Sequence, residues 1–378
     1  MQMSATTKDN YNTVYIGMDV HKDSFTLCAF TVEMNEPKYI TKIPSDYKLV
    51  LKYIERSRKI FGDNAEFICG YEAGCLGYSV YNNLTKCGVK CVILAPTTML
   101  RENGKRIKTD SRDAILIAKC LAYHTYNSVY VPSKDIEEIK EYIRMRSCHK
   151  KHLNRIKQQI LAFCLRSDLR FDGRNWTLRH LDWLNHLEIS PLNREILDEY
   201  ILTYNNLSEK IARIDNRIDE LADANMFKED INKLVCFKGM QTYTAMAVIS
   251  EVGDFSRFPT AEKFAAYLGL VPGESSSGES INHLGITKTG NNNLRSLLTE
   301  AAQCYSRGKI GMKTSPHKKR QENKYKDPRF LAYANSANER LQRRFSKLVL
   351  KNKKHNVAKI AIARELACFI WGAMTNNY

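Results

Sequence analysis

Apolar and polar positions between Val14 and about Tyr123 switch repeatedly between a two-residue rhythm and a three-to-four-residue rhythm, the periods of strand and helix. Val14 to Val20 and Asp23 to Val32 read as two strands joined by a tight turn at His21 and Lys22, and Lys38 to Ile43 reads as a third. Asp46 to Phe61 carries helical spacing through Leu49, Val50, Tyr53 and Ile54. Glu66 to Gly70 then reads as a short buried strand, Leu76 to Cys87 as a helix, Val89 to Leu94 as a strand and Ser111 to Tyr123 as a helix.

Three strands, helix, strand, helix, strand, helix is the order of a ribonuclease H-like or RuvC-like sheet, in which a hairpin-built edge meets parallel strands. A doubly wound nucleotide-binding sheet would place a Gly-rich loop after its first strand, where this chain has Asp19-Val-His-Lys-Asp23. The fold class expected is therefore α/β followed by α.

From Ile136 to Ala222 the rhythm becomes that of long helices. Leu197, Tyr200, Tyr204, Leu207, Ile211, Ile214, Ile218 and Leu221 recur every three or four positions, as do Leu153, Ile156, Ile160 and Phe163. An antiparallel helical hairpin or an intersubunit coiled coil follows, with Arg174 to Pro191 as an irregular tip. Three regions result: 1–130, a helical 131–228 and a mainly helical 229–378.

In the third region, Leu234 to Met240 leads into an Ala-rich helix from Thr242 to Val252. Two helices around a Gly turn resemble a helix-hairpin-helix, whose amides grip phosphate, although Gln241 stands where a second Gly is expected. A helix from Ala261 to Leu268 precedes Gly273-Glu-Ser-Ser-Ser-Gly278 and Gly285-Ile-Thr-Lys-Thr-Gly-Asn291, and a helix runs from Leu294 to Tyr305. Between Ser306 and Lys354 basic residues far outnumber acidic ones, with Tyr325, Phe330, Tyr333 and Phe345 interleaved. Such a run is either a solvated face or a nucleic-acid surface on which rings stack. A closing apolar helix spans Val357 to Met374.

The formal net charge of +17 over 378 residues makes a polyanion the expected large partner, because dispersed Lys and Arg release counterions from phosphate backbones. No apolar run approaches the roughly 20 residues that span a bilayer, so a membrane is not an expected partner. The eleven cysteines are scattered, and Cys87 and Cys91 lack a second pair at zinc-finger spacing. Reduced, mostly buried thiols and a cytoplasmic location are expected.

The acidic residues carry the chemistry. Asp19 falls in the first strand, Glu72 just past the fourth, and Asp110 and Asp113 are three apart at a helix start, so both can face one sheet end. Four converging carboxylates repel one another. Two magnesium ions about 3.5–4 Å apart would neutralise them and clamp the attacking and leaving oxygens of a phosphodiester, manganese being the other hard ion suited to oxygen ligands. Any one of these acids alone reads as a cap or a surface charge. Ser275, Ser276 and Ser277 form a second group, followed by Lys288 and Arg295, and read either as a plain Ser-Gly loop or as a source of a nucleophile.

Ile16-Gly-Met-Asp-Val-His-Lys-Asp-Ser-Phe25, Tyr71-Glu-Ala-Gly74 and Lys108-Thr-Asp-Ser-Arg-Asp-Ala114 resemble the N-terminal DEDD domain of the insertion sequence 110 family of transposases. Phe255-Ser-Arg-Phe-Pro259, Ala265 to Pro272, Ser277-Gly278, Gly285 to Arg295 and Val357 to Leu366 resemble that family's C-terminal domain, in the same order. The resemblance implies a DNA recombinase that moves its own element in a bacterial or archaeal nucleoid. Asp19, Glu72, Asp110 and Asp113 would form its RuvC-like magnesium or manganese site. Ser277, directly before a Gly, would attack DNA to give a phosphoserine link, with Ser276 as the alternative. The resemblance further implies donor and target DNA as partners, a structured bridge RNA as guide, and homodimers or homotetramers with composite active sites. Lys288, Arg295, Lys318, Lys319, Arg320, Arg343 and Arg344 are the candidate nucleic-acid contacts. A RuvC-like nuclease or junction resolvase would need the acids and not the serine, and a non-catalytic scaffold would need neither.

Overall fold

A computed structural model describes residues 12–99, 109–274, 283–313 and 325–378, and the chain falls into two compact units, Met1–Val131 and Pro132–Tyr378. The first contains a five-stranded sheet in the order β3-β2-β1-β4-β5. Its strands are β1 (Thr13–Val20), β2 (Ser24–Phe30), β3 (Pro37–Pro44), β4 (Glu66–Glu72) and β5 (Lys90–Leu94). β1 pairs antiparallel with β2 and parallel with β4, β2 pairs antiparallel with β3, and β4 parallel with β5. Helices α1 (Tyr47–Phe61), α2 (Ser79–Lys86) and α3 (Asp110–Ala122) complete the element order read from the rhythm.

β1 is central, so both of its faces are covered. Val14, Ile16 and Met18 are fully buried in the cluster that also holds Val50, Ile54 and Leu84 of α1 and α2. On the opposite face α3 lies directly on the strand. A Cβ built on Gly17 would stand 2.1 Å from the Ala114 carbonyl oxygen, and one on its register partner Gly70 would stand 2.8 Å from Leu121. Two side-by-side glycines thus form the trough that seats α3. The helix starts at Thr109, whose side chain accepts from the Arg112 amide, and its first turn carries Asp110 and Asp113, the sign that the helix dipole favours there.

The second unit begins with α4 (Lys134–Arg166) and α6 (Pro191–Ala222), each roughly 50 Å long at 1.5 Å per residue. They run antiparallel: Ile143 packs with Ile214 and Ile218 at one end, Ile160 with Leu197 at the other. The apolar seam of α6 therefore has its partner in the same chain. A bidentate pair from Arg146 to Asp215, at 2.7 and 2.8 Å, fastens the two helices. The tip expected to be irregular contains α5 (Leu178–Asn185), capped by Thr177. Its turn-forming neighbours hid an amphipathic stretch only eight residues long.

His180 of α5 is fully buried among Phe171, Trp176 and Trp183. Its Nδ1 accepts from the Trp176 amide, and burial holds its pKa below the ordinary histidine value. The unfolded chain therefore binds this proton more readily, so stability is complete above the unfolded value near about 6.5 and falls as pH drops below it. Acidification from pH 7.5 to 5 is expected to loosen the tip, read as a red shift in Trp emission. A His180→Phe variant whose emission shifted as much as wild type would contradict this assignment.

The remaining elements are α7 (Asn225–Leu234), α8 (Thr242–Val252), α9 (Ala261–Tyr267), β6 (Pro272–Glu274), β7 (His283–Ile286), α10 (Asn292–Ala302), α11 (Pro328–Leu350) and α12 (His355–Met374). They enclose one apolar core with the open end of the α4–α6 hairpin. One expectation changes here and one open alternative is decided. The turn between α7 and α8 is closed upon itself: the Lys238 amide donates to Asn338 Oδ1 at 2.8 Å and the Met240 amide to the Phe237 carbonyl. Those amides are satisfied inside the protein rather than offered to phosphate. The rings of the basic segment also point inward, Phe330 being fully buried and Phe345 5% exposed. Phe330 meets Phe237 and Tyr325 edge-on, and Tyr333 donates to the Phe369 carbonyl. A 23-residue amphipathic helix, not a stacking platform, explains the alternation of rings and cations.

The cysteines are all free; five are buried and Cys75, Cys87 and Cys148 are exposed. Among the described residues no helix is long and apolar enough to cross a membrane.

Candidate metal centre and serine hairpin

The C-terminal ends of β1 and β4 lie side by side because parallel strands in register end together. The last matched pair is Met18 with Tyr71, and Asp19 and Glu72 are the next residues on each strand. Glu72 closes β4 rather than following it. Seating α3 over Gly17 brings the first turn of that helix above the same strand end. The side chains of Asp19, His21 and Asp110 each place a ligand atom within 4.8 Å of the other two.

Within this group Asp19 Oδ2 lies 3.1 Å from His21 Nε2, and Asp110 Oδ2 lies 2.9 Å from Lys42 Nζ. Burial raises the Asp19 pKa, and His21 opposes the rise, whereas the nearby charges of Asp113 and Asp110 add to it. Asp110 is held below its usual range by the hydrogen bond and charge of Lys42. His21 thus faces Asp19 through a hydrogen bond, and Lys42 faces Asp110 as an ion pair. The donor set fits a divalent ion: hard carboxylate oxygens at a half-open strand end, where an ion would offset the burial and, after it, the like charges of Asp113 and Asp110 that raise Asp19.

Neither His21 nor Lys42 stands out in the sequence. His21 read only as a turn residue, and Lys42 as part of an edge strand. The signal lay in hairpin register: Asp19 pairs with Thr26 and Thr26 with Lys42, so the three form one row across the sheet on the face that α3 covers. Two strand spacings of about 4.8 Å are within reach of a lysine side chain.

Ser275, Ser276 and Ser277, and with them Lys318, Lys319 and Arg320, lie outside the described residues. The two strands that flank the serines, β6 and β7, form an antiparallel hairpin whose base is held tightly. Gly269 and Gly290 each let another segment approach: a Cβ on Gly290 would stand 1.9 Å from the Tyr267 carbonyl oxygen. Arg295 donates to the carbonyls of Leu268 and Thr289 and to Asn292 Oδ1, which makes it a brace for this loop. Lys288 is exposed with a left-handed backbone, φ 55°.

Asn291 caps α10 by accepting from the Leu294 amide, and its Nδ2 donates to Glu251 Oε2 at 2.9 Å. Glu251 has a side chain 2% exposed and receives a bidentate pair from Arg144 at 2.7 and 3.1 Å. Burial would raise its pKa, but hydrogen bonds from Arg144 and Asn291 and the charge of Lys140 hold it below the ordinary glutamate value. Sequence reading passed over Glu251, a lone acid in an apolar helix.

Arg343 and Arg344 lie on the outer face of α11. With Arg340, Lys347 and Lys351 they line an open groove of about 620 Å³. Arg340 and Arg344 both reach Glu365, and Arg343 pairs with Glu339. Two acids among five cations leave the groove a net positive charge.

A family model described as "Transposase IS116/IS110/IS902 family" matches residues 232–315, and DEDD_Tnp_IS110, described as "Transposase", matches residues 16–167. The chain is 31% identical over 366 residues to "Putative transposase y4qE" of Sinorhizobium fredii, covering 96% of this chain and 88% of that protein. It is 33% identical over 249 residues to "Transposase for insertion sequence element IS1533" of Leptospira borgpetersenii, over 64% of this chain and 70% of that one. It is also 26% identical over 211 residues to "Pilin gene-inverting protein" of Moraxella bovis, over 54% and 56% respectively. Similarity that runs through both units in this order means that the chain belongs to the IS110 family of transposases.

Proposed function

We propose that this transposase is a metal-dependent serine recombinase whose first unit is RuvC-like, with Asp19, Glu72, Asp110 and Asp113 as ligands for magnesium or manganese. The observation that carries the reading is the meeting of Asp19 and Asp110 at the C-terminal end of β1. Divalent ions bound there would supply Lewis-acid stabilisation of charge developing on the scissile phosphate. Ser277 supplies the nucleophile: its Oγ bonds to phosphorus as the bond to the leaving sugar oxygen breaks, the seryl proton passes to solvent or a nearby base, and the leaving oxygen is protonated. The phosphoserine keeps the energy of the phosphodiester, so a sugar hydroxyl of the exchanged strand can reverse the step and rejoin the DNA. The name of the Moraxella protein, which inverts a gene, describes that kind of outcome for a relative.

Lys288 and the groove lined by Arg343 and Arg344 hold DNA or guide-RNA backbones in this reading. Specificity comes from a bridge RNA paired to donor and target, which suits a basic protein without a compact base-reading module. The active form is a homodimer or homotetramer acting at the nucleoid.

The test is trapping of a protein–DNA adduct on nicked element ends in the presence of the guide RNA. Wild type with magnesium is expected to form the adduct and Ser277→Ala to form none. Asp19→Asn is expected to lower it by at least about a hundredfold with nucleic-acid binding retained. An adduct persisting in Ser277→Ala would remove the nucleophile, and water-derived cleavage without any adduct would identify a nuclease instead.

A further inference from the structure

We infer that the metal centre is a mixed nitrogen–oxygen site in which His21 is a ligand, so that it takes a first-row divalent ion such as manganese(II) in preference to magnesium. The inference rests on the metal-centre reading above and extends it to a residue outside the four acids. Three observations support it.

The first is position. His21 sits in the turn between β1 and β2, and its amide donates to the Ser24 carbonyl at 3.0 Å, which closes that turn and fixes the residue at the strand end. The ring then folds back over β1 so that Nε2 faces Asp19. The second is spacing. Neighbouring ligand atoms of an octahedral ion with bonds near 2.1 Å are roughly 3 Å apart. Asp19 Oδ2 and His21 Nε2 stand 3.1 Å apart, with Asp110 completing a set within 4.8 Å. The third is exposure. The His21 side chain is 58% accessible while that of Asp19 is 15% accessible, so an ion can reach the carboxylate on the side that His21 lines.

Without an ion, the hydrogen bond to Asp19 occupies Nε2. To act as a ligand, His21 would give up its Nε2 proton to water or hold it on Nδ1 instead, which would leave the Nε2 lone pair free for the ion. Imidazole is a poor ligand for magnesium, which favours oxygen and keeps its waters, and a better one for first-row transition ions. Lys42, on the other side of Asp110, has no lone pair to offer while it carries its proton and remains a counter-charge.

The experiment is manganese binding to the full-length protein followed by electron paramagnetic resonance, with electron spin echo modulation to detect coupling to nitrogen-14. Wild type is expected to bind the ion with a histidine coupling. His21→Gln is expected to lose that coupling and to bind manganese about tenfold more weakly, with a smaller change for magnesium measured by competition. Because the ring is exposed, this variant is expected to melt with wild type. Asp19→Asn reports on the site itself. Binding that depends on Asp19 but lacks nitrogen coupling, or a coupling that survives in His21→Gln, would overturn the role of His21 and leave the acid site standing. Binding indifferent to Asp19 would overturn both.

Discussion

Glu251→Ala is expected to destabilise the second unit by about 2–3 kcal/mol, because it takes the counter-charge from Lys140, whose side chain is 13% exposed, while Arg144, 43% exposed, is partly rehydrated. The carboxylate receives four protein donors: Arg144 twice, Asn291 at 2.9 Å and Asn293 at 3.5 Å. Its removal therefore orphans polar groups on α4 and in the turn that starts α10, which costs more than the pairing itself contributes. Trp176, Trp183 and Trp371 all lie in this unit, so denaturant titration followed by Trp fluorescence reads it separately from the first. Glu251→Gln, which keeps the shape and loses the charge, is expected to fall between wild type and Ala. A change below about 1 kcal/mol for Ala would show that the buried charges are compensated elsewhere. Because Asn291 and Arg295 hold the base of the β6–β7 hairpin, the same substitution is also expected to lower serine-adduct formation.

Gly17→Ala is expected to cost the first unit about 3 kcal/mol or more and to abolish Asp19-dependent manganese binding without touching any ligand. The added Cβ would stand 2.1 Å from the Ala114 carbonyl oxygen and 2.3 Å from the Ala118 amide nitrogen. Both are backbone atoms of α3, so no side chain can swing aside, and overpacking must be relieved by lifting the helix from the sheet. Asp110 and Asp113 leave with it. Hydrogen exchange in α3 measures the first effect and paramagnetic resonance the second. Wild-type protection together with wild-type binding would show that the sheet can yield instead.

The positions of the elements were legible in the chain because the two periods of hydrophobic alternation are local. β1 to β5 and α1 to α3 appear in the order that the rhythm predicts. Asp19 and Glu72 could be placed at strand ends for the same reason. α5 was not legible, since two turns of helix between turn-forming residues carry too little periodicity. The rings at Phe330 and Phe345 left two readings open in the sequence, because composition records that aromatic and basic residues alternate and not that they occupy opposite faces of α11.

What this sequence determined by itself is therefore element order, a basic surface and carboxylates poised at strand ends, together with family membership through its motifs. What only the tertiary structure decided is which cations meet those carboxylates and which groups are buried with them. Lys42 reaches Asp110 across 68 residues, and Arg144 reaches Glu251 across 107. Such pairs are set by strand register and helix docking, which depend on packing between distant segments, and no local pattern along the chain encodes them.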